Sequence, residues 1–347
     1  MGAWVEVSVK RQPPLNPLAH WWGELSPLPT SASSSLFGLD IFLQQILNGL
    51  VLGSVYALVA LGYTMVYGIL QLINFAHGEV LMVGAMTAVT VVNLLQKTVP
   101  GIPGPILLII GIGCAIPVCI LLALVIERVA YRPLRHAPRL APLITAIGVS
   151  IVIQTLAMMI WKPNPIVFPD LLPTDPIELG GALLAPKQAL ILVVSALMMG
   201  GLLMLVYRTR LGRAMRATAE NPRIAALMGV DANRVIALTF AIGAALAAVA
   251  GVLVAMNYNI AQFAMGFMPG LKAFTAAVLG GIGNLAGAVV GGLLLGIIES
   301  LGAGYIGDLT NGFLGSHYQD IFAFVVLIGV LLFRPSGLLG ERVADRA

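Results

Sequence analysis

Residues 208–234 read RTRLGRAMRATAENPRIAALMGVDANR, the longest polar stretch inside an otherwise apolar chain. The stretch holds six arginines against two acidic residues, so its net charge equals the formal charge of +4 of the whole chain. Long runs without charged residues flank it on both sides. This pattern predicts a charged loop between two membrane spans.

A short helix is predicted inside this loop. Asn221 can accept a hydrogen bond from a free amide of the next turn, and Pro222 suits the first helical position because no N–H is needed there. Residues 224–228 continue the helix, and Gly229 can end it in a left-handed conformation. A preformed helix with one apolar side is typical of a segment that docks onto a partner. The alternative is a solvated loop without a partner.

The composition predicts a membrane protein. Apolar residues make up 59% of the 347-residue chain and charged residues 10%, against roughly a quarter in soluble domains. Six charge-free runs each reach or exceed the roughly 20 residues that span a bilayer. These runs are 41–78, 98–126, 140–161, 188–207, 235–271 and 273–298. The predicted fold class is all-α, a polytopic membrane helix bundle of about eight to ten spans.

The distribution of arginines predicts the orientation of the bundle. Residues 127–142 contain four arginines, and we expect them in the cytoplasm together with residues 208–234. Residues 162–187 carry three acids and two lysines, and we expect them outside. Arginines placed in short loops between spans indicate membrane topology and do not indicate nucleic-acid binding.

The number of crossings depends on residues 62–78. These residues can continue the first span, form a half-span or cross completely. Nine crossings place the amino terminus outside and ten place it inside, and Lys10 and Arg11 favour the inside.

A broken or re-entrant pair of helices is predicted near the carboxyl end. Pro269 and Gly270 interrupt the apolar segment 263–281, which pairs with segment 285–304. Residues 280–287 are expected to turn between them at the cytoplasmic side. Broken helices in membranes usually face protein or a water-filled path.

The domain organisation follows from the change in composition along the chain. Residues 1–39 are rich in proline and serine and predict a disordered extension. Residues 40–340 form a single transmembrane domain, and residues 341–347 a cytoplasmic tail.

Polar residues within the apolar runs are candidates for the translocation path. Asn74, His77 and Glu79 stand together where one run ends, and they either line the path or form a hydrogen-bonded helix end. His77 and Glu79 are two apart and so point to different faces of a helix. Lys272, between two apolar segments, is expected to extend its ammonium towards the membrane surface.

The remaining motifs indicate packing rather than chemistry. The chain contains no phosphate-binding loop, no dinucleotide fingerprint and no metal-ligand spacing, so we expect no catalytic site, no metal and no cofactor on this chain. Gly283, Gly287 and Gly291 repeat at every fourth position, and small residues at this spacing allow helix backbones to approach closely.

Four stretches together resemble a known family. They are GSVYALVALGYTMVYGILQLINFAHGE (53–79), GRAMRATAENPRIAALMGVDANRVIALTFAIGAALAAVAGVL (212–253), MGFMPGLKAFTAAVLGGIGNLAGAVVGGLLLGIIES (265–300) and RPSGLLG (334–340). This combination is similar to the inner-membrane permease of branched-chain amino-acid ABC importers of bacteria. Two features depart from the family pattern, the long extension 1–39 and an insertion at 307–316 that we expect to be an external loop.

The resemblance implies a multi-pass subunit of the bacterial inner membrane that pairs with a second, related permease chain. Two cytoplasmic ATPase subunits, which would bind the ATP, and a periplasmic amino-acid-binding protein would complete the importer. In this family the arginine loop corresponds to the segment that docks onto an ATPase. The residues that match its pattern are Gly212, Arg213, Ala214, Arg216, Ala217, Glu220, Pro222, Ala225 and Gly229.

Two alternatives remain beside this interpretation. Related importers carry urea or short amides instead of branched-chain amino acids. An autonomous channel or ion-coupled transporter would belong to a different class. Such a protein would need paired charges within the membrane, and the charge-free runs indicate that these are lacking.

Overall fold

The structure is a computed structural model that describes residues 31–135, 137–138, 140–179, 181–310 and 319–340. The described residues form an all-α bundle, as predicted. In chain order its α-helices are α1 (Ser31–Leu70), α2 (His77–Thr98), α3 (Gly104–Ile126), α4 (Leu140–Trp161), α5 (Pro186–Arg208), α6 (Arg210–Glu220), α7 (Pro222–Leu227), α8 (Ala232–Tyr258), α9 (Phe267–Gly280), α10 (Leu285–Leu309) and α11 (Gln319–Phe333). A π-helical turn, Glu127–Tyr131, follows α3 directly.

Two small antiparallel sheets lie between the helices. Strand β1 (Ile166–Val167) pairs with β4 (Ile260–Ala261), and β2 (Ile177–Leu179) pairs with β3 (Ala182–Leu184). Both sheets close one end of the bundle, which we call the hairpin face.

The centre of the bundle is built from α1, α2 and α8, whose side chains are largely buried. Helices α3, α4 and α5 lie at the periphery and expose large apolar side chains such as Leu121, Met159 and Leu197. Lipid tails are as apolar as these side chains, so such an outer face costs nothing in a membrane. The exposed apolar faces of these helices are therefore suited to contact with lipid.

Seven helices in the described part of the chain are long and apolar enough to cross a membrane, namely α1 from Leu39 onward, α2, α3 with its π turn, α4, α5, α8 and α10. The apolar helices α9 and α11 are shorter, with 14 and 15 residues. Each nevertheless brings the chain from the side of the hairpin face to the opposite end. In its described part the chain thus passes through the bundle nine times, within the predicted range of eight to ten.

Residues 62–70 continue the first span, so the first of the three alternatives is the one observed. The chain then turns back, and α2 begins at His77, inside the bundle and against Gly62 on α1. At its other end α1 adjoins the hairpin face, where Gln44 exchanges two hydrogen bonds with the backbone of Leu183 (2.8 and 3.1 Å). This is the side expected to be external, in agreement with nine crossings rather than ten. Lys10 and Arg11 lie outside the described residues.

The opposite end, which we call the arginine face, consists of residues 132–135, 208–234 and 281–284. Arg135 donates a hydrogen bond to Asn233 across it (2.5 Å). The turn around Gly283 lies at the same end, since it shares a cleft with Arg216. All three loops predicted to be cytoplasmic are therefore on one side of the bundle.

The broken helix differs from its prediction in position. The chain is non-helical over most of 259–266, and α9 begins only at Phe267. Pro269 lies in the first turn of α9, where no backbone N–H is needed. The interruption therefore precedes Pro269 and Gly270 rather than falling on them.

Two segment boundaries also differ. Helix α1 begins at Ser31, so residues 31–39, expected to belong to the disordered extension, are helical. Helix α10 continues to Leu309, so the expected loop 307–316 begins as helix. Residues 1–30, 311–318 and 341–347 lie outside the described part of the chain.

Candidate coupling segment and membrane-embedded polar groups

The arginine loop begins with a tight corner between α5 and α6. Thr209 caps α6, and its Oγ1 accepts a hydrogen bond from the backbone N–H of Gly212 (3.1 Å). A Cβ at Gly212 would overlap with the carbonyl oxygen of Val206. Gly212 is therefore needed for the corner itself, and it is buried.

The predicted short helix is present as α7. The side chain of Asn221 accepts hydrogen bonds from the N–H groups of Arg223 (3.0 Å) and Ile224 (3.1 Å), and Pro222 occupies the first helical position. Gly229 has a φ of +82° and ends the turn in the left-handed region, with open space around its α-carbon. The local structure of this segment is thus confirmed.

The surface that α7 presents is different from the one expected. Ala225 matches the pattern of the docking segment, but it is only 3% exposed and packs against the chain itself. Ile224, Leu227 and Met228 are 58%, 86% and 80% exposed. These three side chains, and not Ala225, form the free apolar surface of the loop.

The other matched residues surround this surface. Arg213, Arg216, Ala217, Glu220 and Pro222 are exposed, and Ala214 is half-buried. The guanidinium of Arg216 lies 5.6 Å from the centre of the Tyr207 ring. The segment thus presents an apolar patch with exposed arginines on the preceding helix.

An ion pair that the sequence did not indicate anchors this segment. Arg135 pairs with the buried carboxylate of Glu127 and at the same time contacts Asn233, which lies in the first turn of α8. Arg132 approaches the same carboxylate at 3.5 Å. These contacts hold the two polar loops of the arginine face together.

The three candidates for the translocation path are buried in separate environments. Asn74 accepts hydrogen bonds from the N–H of Ala76 (3.1 Å) and from the hydroxyl of Tyr131 (2.9 Å). The ring of His77 packs edge-on against Tyr63 on α1, with 4.9 Å between ring centres.

Glu79 points to another face of α2. Its Oε1 accepts hydrogen bonds from Ser150 (3.0 Å) and Gln154 (2.8 Å) on α4. His77 and Glu79 therefore do not form a pair, as the spacing predicted. The bond from Ala76 to Asn74 corresponds to a hydrogen-bonded helix end, whereas Glu79 bonds across to α4. A role of the three residues in the path stays a prediction.

The glycines divide into two groups. Gly287 and Gly291 face α9, where a Cβ on Gly287 would lie 2.5 Å from the carbonyl oxygen of Gly280. Gly283 differs from its prediction as a packing glycine, because it precedes α10 and has a φ of +97° in the turn. Asn284 caps α10 and donates to the carbonyl of Leu339 (2.8 Å), so the turn packs against the 334–340 segment.

A cluster of charges lies inside the bundle, and it corrects two expectations. The ammonium of Lys272 on α9 is 2.6 Å from a Glu299 oxygen on α10 and 2.7 Å from an Asp320 oxygen on α11. Lys272 therefore does not extend to the membrane surface. The bundle also contains paired charges, which the charge-free runs had indicated to be lacking. Lys272 and Glu299 each stand at the end of a charge-free run, and only the packing of helices brings them together.

Within the described residues, no group of three His, Cys, Asp or Glu side chains could hold a metal ion.

Comparisons with known proteins agree with this architecture. Residues 45–331 match the model of the family described as branched-chain amino acid transport system / permease component. The high-affinity branched-chain amino acid transport system permease protein BraD of Pseudomonas aeruginosa is 48% identical over 88% of this chain and 98% of that protein. The corresponding protein LivH of Escherichia coli K12 is 46% identical over 88% of this chain and 97% of its own length.

The match to a more distant relative also covers most of both chains. The probable branched-chain amino acid transport permease protein LivH of Methanocaldococcus jannaschii is 30% identical over 87% of this chain and 94% of its own length. No solved structure matches the chain significantly. The match over most of the chain, the bundle of nine passes and the relatives lead to one conclusion: the chain belongs to the family of permease components of branched-chain amino acid transport systems.

Proposed function

We propose that this chain is a permease subunit of an ATP-driven ABC importer for branched-chain amino acids, and that it forms half of the translocation path in the bacterial inner membrane. The full-length similarity to permeases that are named for these substrates supports the proposal. Urea or short amides are the alternative substrates. The Lys272 cluster removes one objection to an ion-coupled transporter, but family membership favours the importer.

The proposed assembly contains a second, related permease chain, two cytoplasmic ATPase subunits and a periplasmic amino-acid-binding protein. ATP is bound by the ATPase subunits, and this chain contributes no cofactor and no catalytic group. The relatives are named as transport permeases, which agrees with a subunit whose work is conformational.

In this assembly an ATPase subunit docks onto residues 208–234. The observation that carries this part of the proposal is the exposed apolar surface of α7. Leu227 and Met228 are more than three-quarters exposed at the arginine face. Such a patch is typical of a protein–protein contact, and an apolar helix face fits into a groove of a partner. Helix α7 is joined to α6 through Asn221 and to α8 through residues 228–231, so the movement of a docked partner would be passed on to α5 and α8.

The substitution Leu227→Glu tests this proposal. The carboxylate would have to lose its hydration on docking, so ATPase subunits should no longer co-purify and leucine transport should be lost. Leu339→Glu is the matched control, because Leu339 is also exposed but lies in the carboxyl-terminal segment, next to the turn at 281–284. Wild-type co-purification and transport by Leu227→Glu would contradict docking through α7.

A further inference from the structure

A cavity of about 400 Å³ lies on the side of the hairpin face, between α1, the end of α8, residues 259–266 and the start of α9. Val51, Val55 and Met268 contribute apolar walls, and Tyr56 and Lys272 contribute polar groups. Its volume falls within the roughly 300–1,000 Å³ of small-molecule sites. Met268 is 41% exposed, so the cavity is accessible from outside the chain.

The polar end of the cavity belongs to the ion cluster. Lys272 donates to Glu299 Oε1 (2.6 Å) and to the hydroxyl oxygen of Tyr56 (3.3 Å), and Tyr56 donates to the same Glu299 oxygen (3.3 Å). With Asp320, the cluster contains two carboxylates and one ammonium. Glu299 is 1% exposed, and its Oε2 has no hydrogen-bond partner among the described residues. The Lys272 ammonium and the Tyr56 hydroxyl thus already donate within the cluster, whereas the buried Oε2 of Glu299 accepts no hydrogen bond from a described residue.

We propose that this cavity is a binding site for an aliphatic amino acid on its way through the permease. The two charged groups of the ligand lie at the Tyr56–Lys272 end, and its side chain lies against Val51, Val55 and Met268. This inference rests on the proposed function and names the place of the substrate within it.

The charge pattern favours a zwitterion over other small solutes. An amino acid brings one charge of each sign. Its carboxylate can pair with Lys272 and its ammonium with a carboxylate of the cluster, so the net charge of the cluster stays unchanged. An anion alone would add to the excess of negative charge in the cluster, and an inorganic cation alone would leave the apolar walls without a partner. Urea and short amides bring no charge, and urea has no aliphatic group for the apolar walls.

Thiol labelling of the full-length chain tests the site. In a Cys114→Ser background, Met268→Cys places a reactive thiol in the cavity wall. Val99→Cys, just after the end of α2, is the matched control because Val99 is also exposed and does not line the cavity. The remaining Cys119 is buried. The rate of maleimide labelling is measured in detergent with leucine, with urea or with neither.

Leucine at about ten times its dissociation constant should slow the labelling of Met268→Cys about tenfold and leave the labelling of Val99→Cys unchanged. Urea should protect neither thiol. Equal labelling with and without leucine, or equal protection by urea, would overturn the proposal.

The same labelling is repeated on the assembled importer, together with leucine uptake. Protection by leucine without uptake would support the site and contradict the proposed function. Uptake without protection would overturn the site and leave the function standing. A thiol that is blocked in the importer even without leucine would show that a partner chain fills the cavity, which also overturns the site.

Discussion

Arg135 links the two polar loops of the arginine face. Its guanidinium reaches the buried carboxylate of Glu127 on one side and the amide oxygen of Asn233 on the other. A carboxylate that is 3% exposed needs such a partner, because burial of an unpaired charge costs several kcal/mol. Arg135 therefore positions the first turn of α8, directly after the α7 segment.

The substitution Arg135→Gln should lower the free energy of unfolding by about 3 kcal/mol, because Glu127 would lose its main partner. Thermal unfolding of the purified chain in detergent measures the effect. Arg132→Gln is the control. Its side chain is 42% exposed and farther from Glu127, so the loss should stay below about 1 kcal/mol.

The double substitution of Glu127→Gln and Arg135→Gln distinguishes pairing from other contacts. It should recover much of the stability lost in Arg135→Gln, since no buried charge then remains. If Arg135→Gln alone unfolds at the wild-type temperature, the Glu127–Arg135 pair does not stabilise the loops.

Among the elements, α10 has two glycine surfaces that pack against different helices. Gly287 and Gly291 face α9, and Gly292 and Gly296 face α1. On the second surface a Cβ at Gly292 would lie 2.5 Å from the Cα of Ala57. The backbone of α10 therefore approaches α9 on one side and α1 on the other, and α10 lies between them.

The substitution Gly287→Leu should destabilise the bundle by about 1–3 kcal/mol, because the new side chain would separate α10 from α9. Gly113→Leu on α3 is the matched control, since a side chain there meets open space. Both variants gain helix propensity, so they differ only in packing. Thermal unfolding and co-purification of partner chains measure the effect. Equal melting temperatures for the two variants would contradict the packing role of Gly287.

For the whole molecule, the two faces predict an orientation in the membrane. Asp175 and Arg223 are both exposed, the first near the hairpin face and the second on the arginine face. In a Cys114→Ser background, a membrane-impermeant maleimide applied to intact cells should label Asp175→Cys and should not label Arg223→Cys. Lysed cells, in which both thiols should react, are the control. Labelling of Arg223→Cys alone in intact cells would show that the orientation is the opposite of the predicted one.

The sequence by itself determined the class of the protein and the local structure of the arginine loop. Backbone groups in a membrane must be satisfied within helices or closed barrels, and barrel strands are short and alternate in polarity. Long continuous apolar runs therefore indicated a helix bundle. Asn221, Pro222 and Gly229 act within one or two turns of the chain, so their roles as cap, first residue and stop were predictable. The four stretches also sufficed to identify the family.

Only the tertiary structure decided which groups meet. Lys272, Glu299 and Asp320 stand on three helices, and no local pattern says that their side chains converge. The burial of Ala225 likewise depends on how α7 rests against the bundle. Apolar runs specify that a helix lies in the membrane, but lipid and protein are equally apolar partners for it. The direction in which each side chain points is therefore set by packing between helices that are distant in the sequence.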